Sequence, residues 1–215
     1  PGGEEMAKQT LNARLGLLGG ISILGTSGIV TPYSTAAYKA SIVQAIDVAA
    51  TRGLDRLVVT TGGKSESYAM KLFPELSEEA FIQMGDFVGI TTRHCVRRGI
   101  GEVAIVGMMG KLSKMADGRM QTHAAGSDVN LALLAALAGE LGASPAMTGA
   151  IENANTARHV LELCRQHGLV GLPALICQRA AEQIRTHTGG KLALDIALVD
   201  FDGTLLGRHR SEAKT

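Results

Sequence analysis

The chain has no tryptophan, and only 3% of its 215 residues are aromatic. Its core must therefore be built from Ala, Leu, Ile and Val, and recognition by stacking on aromatic platforms is not expected. An excess of one charge is also missing. Lys and Arg total 21 against 20 Asp and Glu, with no basic run, so nucleic acid is not an expected partner. Cys95, Cys164 and Cys177 form an odd set without CxxC spacing, which reads as reduced thiols of a cytoplasmic protein and not as a disulfide frame or a zinc site. No apolar run reaches the roughly 18 to 20 residues of a membrane span, and PGGEEMAKQT is not a signal peptide, so no membrane partner is expected.

The hydrophobic fraction of 46% suits one large α/β domain. Domain boundaries are expected at 1–14 (a linker, or the end of an upstream domain that is missing), 15–206 (the α/β domain) and 207–215 (a tail). A chain opening on Pro1-Gly2-Gly3 and not on Met is expected to be a piece of a longer polypeptide.

The run LGLLGGISILG at 15–25 reads as a buried, glycine-punctuated strand. Thr31 and Pro32 then start a helix that Gly53 stops. Strands are expected at 55–61, 80–84, 102–107 and 192–201, and helices between them. One of these is capped by Asp86 and runs to Arg98; three others follow from Ser127, from about Asn153 and from Pro173. The expected fold is α/β: a mostly parallel sheet of four to five strands with helices on both faces.

Four small or charged clusters directly follow apolar, β-branched runs: TTGGKSE, MGD, GMMGKLSK and DFDGT. A parallel sheet brings such clusters to the carboxyl edge of its strands, where these folds bind small molecules. TTGGKSE imitates a phosphate loop, but the first glycine of that pattern would fall at Val58 inside a strand, which leaves a glycine-lined turn open to a ligand or a purely structural turn. VDFDGTLL resembles the opening of haloacid-dehalogenase-type phosphatases, with Asp200 as nucleophile and Asp202 beside the leaving group. That chemistry needs a Lys, a hydroxyl and further acids on a whole domain built after the motif, whereas only about a dozen residues follow, and the plain reading is that both acids shape a turn. Lys111, Lys114, Arg119, His123 and Asp128 fall in one stretch, either a cationic loop for a polycarboxylate or a solvated basic surface. The remaining histidines lie on helices or tails without a second ligand at metal spacing, so no protein-held metal is expected.

Taken together and in order, LGLLGGISILGTSGIVTPYSTAAYKASI (15–42), VVTTGGKSE (58–66), FIQMGDFVG (81–89) and GMMGKLSKMADGRMQTHAAGSDVN (107–130) resemble the CbiD family, the cobalt-precorrin-5B C1-methyltransferases of anaerobic cobalamin (vitamin B12) biosynthesis. The likeness extends from residue 1 to about 205. It implies transfer of a methyl group from S-adenosyl-L-methionine to C1 of a cobalt-precorrin tetrapyrrole, with cobalt arriving inside the substrate. It also implies a two-domain protein whose α+β domain precedes this α/β portion. The GxGxG loop of Rossmann-type methyltransferases is lacking, so their cofactor contacts do not transfer.

From rim position, not from the family, Thr61, Gly62, Gly63, Gly85, Asp86 and Gly107 are the candidate methyl-donor residues. Lys111, Lys114, Arg119 and His123 are candidates for the substrate's acidic side chains, and Asp86 and His123 for catalytic groups. Phosphoryl transfer through the DFDGT turn and a non-catalytic metabolite-binding domain are the rival readings. Self-association into a homo-oligomer stays open.

Overall fold

The computed structural model describes residues 2–7, 17, 19–20, 34–123 and 128–214. The expected strand at 15–25 and the expected Thr31-Pro32 helix start lie outside these residues, apart from three isolated positions. After a short helix α1 (Gly3–Ala7), helix α2 spans Thr35–Thr51. Ser34 begins it, its hydroxyl accepting the Ala37 N–H at 3.2 Å. Ile42, Ala45, Ile46 and Ala49 recur at helical spacing and are buried.

Strands β1 (Arg56–Thr60), β2 (Phe81–Gln83), β3 (Glu102–Gly107), β4 (Ala193–Val199) and β5 (Leu205–Ser211) form one sheet in the order β2-β1-β3-β4-β5. The first four are parallel, and β5 returns antiparallel to β4. This is the α/β fold that the apolar runs require: Leu57, Val58 and Val59 on β1 and Val103 to Val106 on β3 are fully buried, as central strands covered on both faces must be.

Helices α3 (Gly63–Leu72) and α4 (Val88–Arg97) connect β1 to β2 and β2 to β3. Between β3 and β4 lie α5 (Met109–Ala116), α6 (Leu131–Glu140), α7 (Pro145–Glu152), α8 (Ala157–Gln166) and α9 (Leu172–Thr188). The chain moves from β1 to one side to make β2, then crosses back past β1 to make β3. Right-handed crossovers therefore set α3 on one face of the sheet and α4 and α9 on the other. In agreement, α3 packs on β1, β2 and β3, whereas α9 packs on α4, α5, β4 and β5. On the second face His94 of α4 meets the Asp47 carboxylate of α2 at 2.7 Å, with Arg98 at 3.2 Å from the same oxygen.

Four expectations need correction. Asp86 does not cap α4, which begins after Phe87 with no side-chain cap, because its carboxylate is engaged elsewhere. The helix expected from Ser127 begins at Leu131, where Asn130 accepts the Leu133 N–H at 3.0 Å. The single helix expected from about Asn153 is preceded by another, α7, which Ser144 caps and Pro145 opens. Finally, residues 205–211, most of which read as the start of a tail, are a strand. Its residues are mostly half-exposed, and ion pairs fasten it where apolar side chains would be expected.

Candidate functional site

The direction of travel reverses between β1 and β3, so their carboxyl ends flank the switch point at which doubly wound sheets open a crevice. A cleft of about 520 Å³ lies there, between the Thr61-Gly62-Gly63 turn and the start of α5. A second cleft of about 470 Å³ adjoins it toward α8. The two share Met108, Gly110, Lys114, Val129 and Phe201.

The β1 side of the crevice is a glycine turn held from behind. Gly62 has φ +155° and ψ 175°, a conformation reserved for glycine, and it caps α3 with its backbone alone. Its carbonyl accepts from the Ser65 hydroxyl at 2.8 Å, and Ser65 in turn pairs with Thr61 Oγ1 at 3.2 Å. A side chain at Gly63 would meet only Gln83 Nε2, at 3.8 Å, so the fold does not require glycine there. Gln83 donates to Glu66 at 2.8 Å, while the Tyr38 hydroxyl donates to the Gln83 carbonyl at 3.1 Å. Burial, and secondarily the Glu66 charge, push the Tyr38 phenol above its ordinary range.

The β2 and β3 ends are tied together by a strap formed by the residues after α5. Asp86 forms an ion pair with Lys111 and accepts the Thr122 hydroxyl at 3.0 Å, while its backbone carbonyl accepts the Thr122 N–H at 3.0 Å. Lys114, buried in spite of its charge, donates to the Thr122 carbonyl at 3.3 Å. Burial, then the neighbouring Lys114 charge, lower the Lys111 ammonium from the usual lysine range. The Asp86 carboxylate is its ion-pair partner. The strap also lies on α4, since Gly89 donates to the Met120 carbonyl at 2.9 Å and a β-carbon at Gly89 would stand 2.8 Å from Met120 Cβ.

The β4 end is the DFDGT turn. Asp200 receives Arg165 at 2.7 Å and the Phe201 N–H at 2.7 Å. Burial raises its pKa, but these partners outweigh it and hold the carboxyl below the ordinary range. Asp202 accepts the Thr204 N–H at 2.9 Å, the main cause of its own lowered pKa. Both acids are therefore spent on shaping a turn, which is the plain reading of this motif.

Of the residues singled out from sequence, Thr61, Gly62, Gly63, Lys111 and Lys114 come together on the first cleft. Asp86 stands behind Lys111 and Thr122. Gly85, at φ +57°, is held against Tyr38, whose hydroxyl would be 3.0 Å from an added β-carbon. Gly107 is packed likewise, 3.1 Å from Thr61 Cγ2 by the same measure. Arg119 reaches toward Asp117, 3.4 Å away, and His123 is exposed at the end of the strap. Lys64, Thr122, Arg158 and Phe201 line the clefts without having been proposed for them. Lys64 lay within the glycine cluster, and Phe201 was a scarce aromatic beside a strand end; both signals were present. Among the described residues no group of three or more His, Cys, Asp and Glu is arranged to hold a metal, and no helix is long and apolar enough to cross a membrane.

Comparison with known proteins gives two matches to family models, CbiD over residues 1–32 and CbiD, C-terminal domain, over residues 121–210, together more than half of the chain. A cobalt-precorrin-5B C(1)-methyltransferase of Leptospira interrogans (serovar copenhageni) is 54% identical over 208 residues, which are 97% of this chain and 57% of that protein. The enzyme of the same name from Geobacillus sp. (strain WCH70) is 50% identical over 97% of this chain and 57% of its own length. That of Rubrobacter xylanophilus is 52% identical over 94% and 52%. The chain thus spans a little over half the length of the curated relatives it matches. No solved structure matches it.

Proposed function

The chain belongs to the CbiD family, and we propose that it is the α/β portion of a cobalt-precorrin-5B C(1)-methyltransferase, acting in cobalamin biosynthesis in the cytoplasm. The observation that carries this reading is the pair of adjoining clefts at the switch point of the sheet, since a two-substrate transfer needs two seats sharing a wall.

S-adenosyl-L-methionine, when bound, supplies a methyl group on a sulfonium sulfur. The first cleft fits such a donor: Gly62 faces open space and Gly63 only ordinary contact with Gln83, so a ligand can approach the backbone, and the Thr61 and Ser65 hydroxyls stand beside them. Lys111 and Lys114, on the wall facing this turn, meet acidic side chains of the tetrapyrrole. Asp86 acts through Lys111, fixing the ammonium and, by way of Thr122, the strap that carries Arg119 and His123. His123, at the end of that strap, is the candidate for any proton the acceptor must lose; Arg119 adds positive charge outside the cleft. Gly85 serves the donor site indirectly, through the turn it permits, and Gly107 through the close approach of Thr61. Because the acceptor's own conjugated system supplies the nucleophilic carbon, the protein's contribution is proximity, alignment and exclusion of water.

The test is direct. The intact protein that carries this chain is incubated with S-adenosyl-L-methionine and cobalt-precorrin-5B, and the product is weighed by mass spectrometry. A product one methyl group heavier supports the reading. Binding of both ligands without transfer favours a metabolite-binding role, and failure to bind either ligand overturns the reading.

A further inference from the structure

The turn after β4 does more than end a strand: it holds one aromatic ring at the lip of both clefts. Asp200, itself fixed by Arg165, takes the Phe201 N–H, and the Tyr68 hydroxyl donates to the Phe201 carbonyl at 2.6 Å. Gly203, at φ +91°, lies so close to Tyr68 that a β-carbon there would come within 2.6 Å of its ring. Both backbone groups of Phe201 are thus bonded and its neighbours locked, yet the residue is 46% exposed. In a chain with four Phe and no Trp, the stability of the fold gains little from leaving this ring in water.

Two cations attend the ring from different elements. Lys64 Nζ, at the start of α3, lies 5.4 Å from the ring centroid. Arg158 Cζ, near the start of α8, lies 5.2 Å from it, with its Nε held by Glu162 at 3.1 Å. Lys64 lines the first cleft, Arg158 the second, and Phe201 both.

We propose that Phe201 is the seat for the conjugated face of the acceptor macrocycle, with Lys64 and Arg158 taking carboxylates at its edge. The proposal rests on the functional reading above and adds residues to it. Both cations lie over the ring, and a flat, polarisable body rimmed with anions takes their place on the ring face while its carboxylates draw the two long side chains to its edge. Seated there, the acceptor lies across the wall between the clefts and presents one edge to the glycine turn.

The experiment uses the intact protein and two probes: cobalt-loaded uroporphyrin, followed by its absorbance, and S-adenosylhomocysteine, followed by calorimetry. Phe201→Ala is expected to weaken uroporphyrin binding roughly tenfold and S-adenosylhomocysteine binding by no more than about twofold, and Phe201→Tyr to restore uroporphyrin binding to within about twofold. Lys64→Ala and Arg158→Ala are each expected to weaken it by about three- to tenfold, less so as salt rises. Thermal melting checks that Phe201→Ala is folded, which the exposure of the ring makes the expected result. Undiminished uroporphyrin binding by a folded Phe201→Ala variant, or an equal loss for both probes, overturns the seat while the methyl-transfer reading stands. If the unmodified protein binds no tetrapyrrole, the functional reading falls and the seat with it.

Discussion

The carboxylate of Asp86, at the end of β2, is paired with the ammonium of Lys111 on α5, and the same carboxylate oxygen accepts the hydroxyl of Thr122. One acid thereby ties two strand ends and a strap into a single wall of the cleft. Replacing Asp86 with Ala removes both partners at once and leaves a half-buried ammonium without its counter-charge. The expected cost is about 1–3 kcal/mol in urea unfolding, with a loss of kcat/KM for methyl transfer of at least about tenfold. Asp86→Asn keeps an acceptor for Thr122 and so should recover part of the stability but not the activity. Equal recovery of both would show that the charge is irrelevant.

Gly62 and Gly63 are adjacent yet bear different constraints. Gly62 occupies a backbone region closed to other residues, so Gly62→Ala is expected to cost about 1–3 kcal/mol wherever its methyl points. Gly63 is helical with room beside it, so Gly63→Ala should leave stability within about 0.5 kcal/mol, and Gly63→Val should narrow the cleft instead. Calorimetry with S-adenosylhomocysteine should find affinity reduced about tenfold in Gly63→Val. Unchanged affinity would move the donor away from this turn.

The parts of the fold legible in the sequence are those governed by local pattern. Residues 102–107 are strand β3 to the residue, and 56–60 differ from the expected span by one residue at each end, because a continuous apolar run with β-branched residues fits a strand buried on both faces. The rim clusters likewise converged, since a parallel topology leaves every strand at the same edge. What escaped depends on partners distant in sequence. Asp86 reads locally as a cap, but Lys111 and Thr122 compete for it and win. Strand β5, with its glycine and two arginines, has no strand pattern of its own and is held by an acid on β4. A low aromatic content says nothing about where a single ring sits, and Phe201 at the lip of both clefts follows from the turn after β4, not from composition.

That acid is Asp195, 1% exposed within β4, with Arg208 bound bidentately at 2.7 and 2.5 Å, Arg210 at 3.0 Å and Arg56 at 3.7 Å. Burial pushes its pKa up, but the hydrogen bonds and charges of Arg208 and Arg210 outweigh it and hold the carboxyl below the ordinary range. With the native value below the unfolded one of about 3.9, its contribution is complete above that pH and is lost as pH falls through the native value. Asp195→Asn is expected to destabilise by about 2–4 kcal/mol at neutral pH, with Arg208 left only partly satisfied. Urea midpoints followed downward from pH 7 should begin to draw together for the two proteins once the pH falls below about 3.9; curves that stay parallel there would mean that the Asp195 charge itself contributes nothing.

On its other side β5 is fitted to α9 through Gly207. An added β-carbon would lie 2.5 Å from both Ala174 N and the Pro173 carbonyl carbon, contacts with backbone that no rotamer change can relieve. The Gly207 carbonyl also lies 3.6 Å from the Cys177 thiol, whose pKa burial pushes up to about 12, so that side of the strand is dry and leaves little room to shift. Gly207→Ala must therefore either displace the first turn of α9 or unzip β5 from β4. The expected cost is about 2–3 kcal/mol, that of overpacking a rigid interface. Because α9 also packs on α5, which carries Lys111 and Lys114, displacement of the helix and detachment of the strand have separable consequences. Hydrogen exchange should show lost protection confined to 205–211 if the strand detaches, with tetrapyrrole affinity retained. Lost protection along α9 and α5 together with weakened tetrapyrrole binding would show that β5 supports the cleft through the helix. Unchanged exchange and stability would show that the backbone accommodates the methyl and that this contact is not tight in solution.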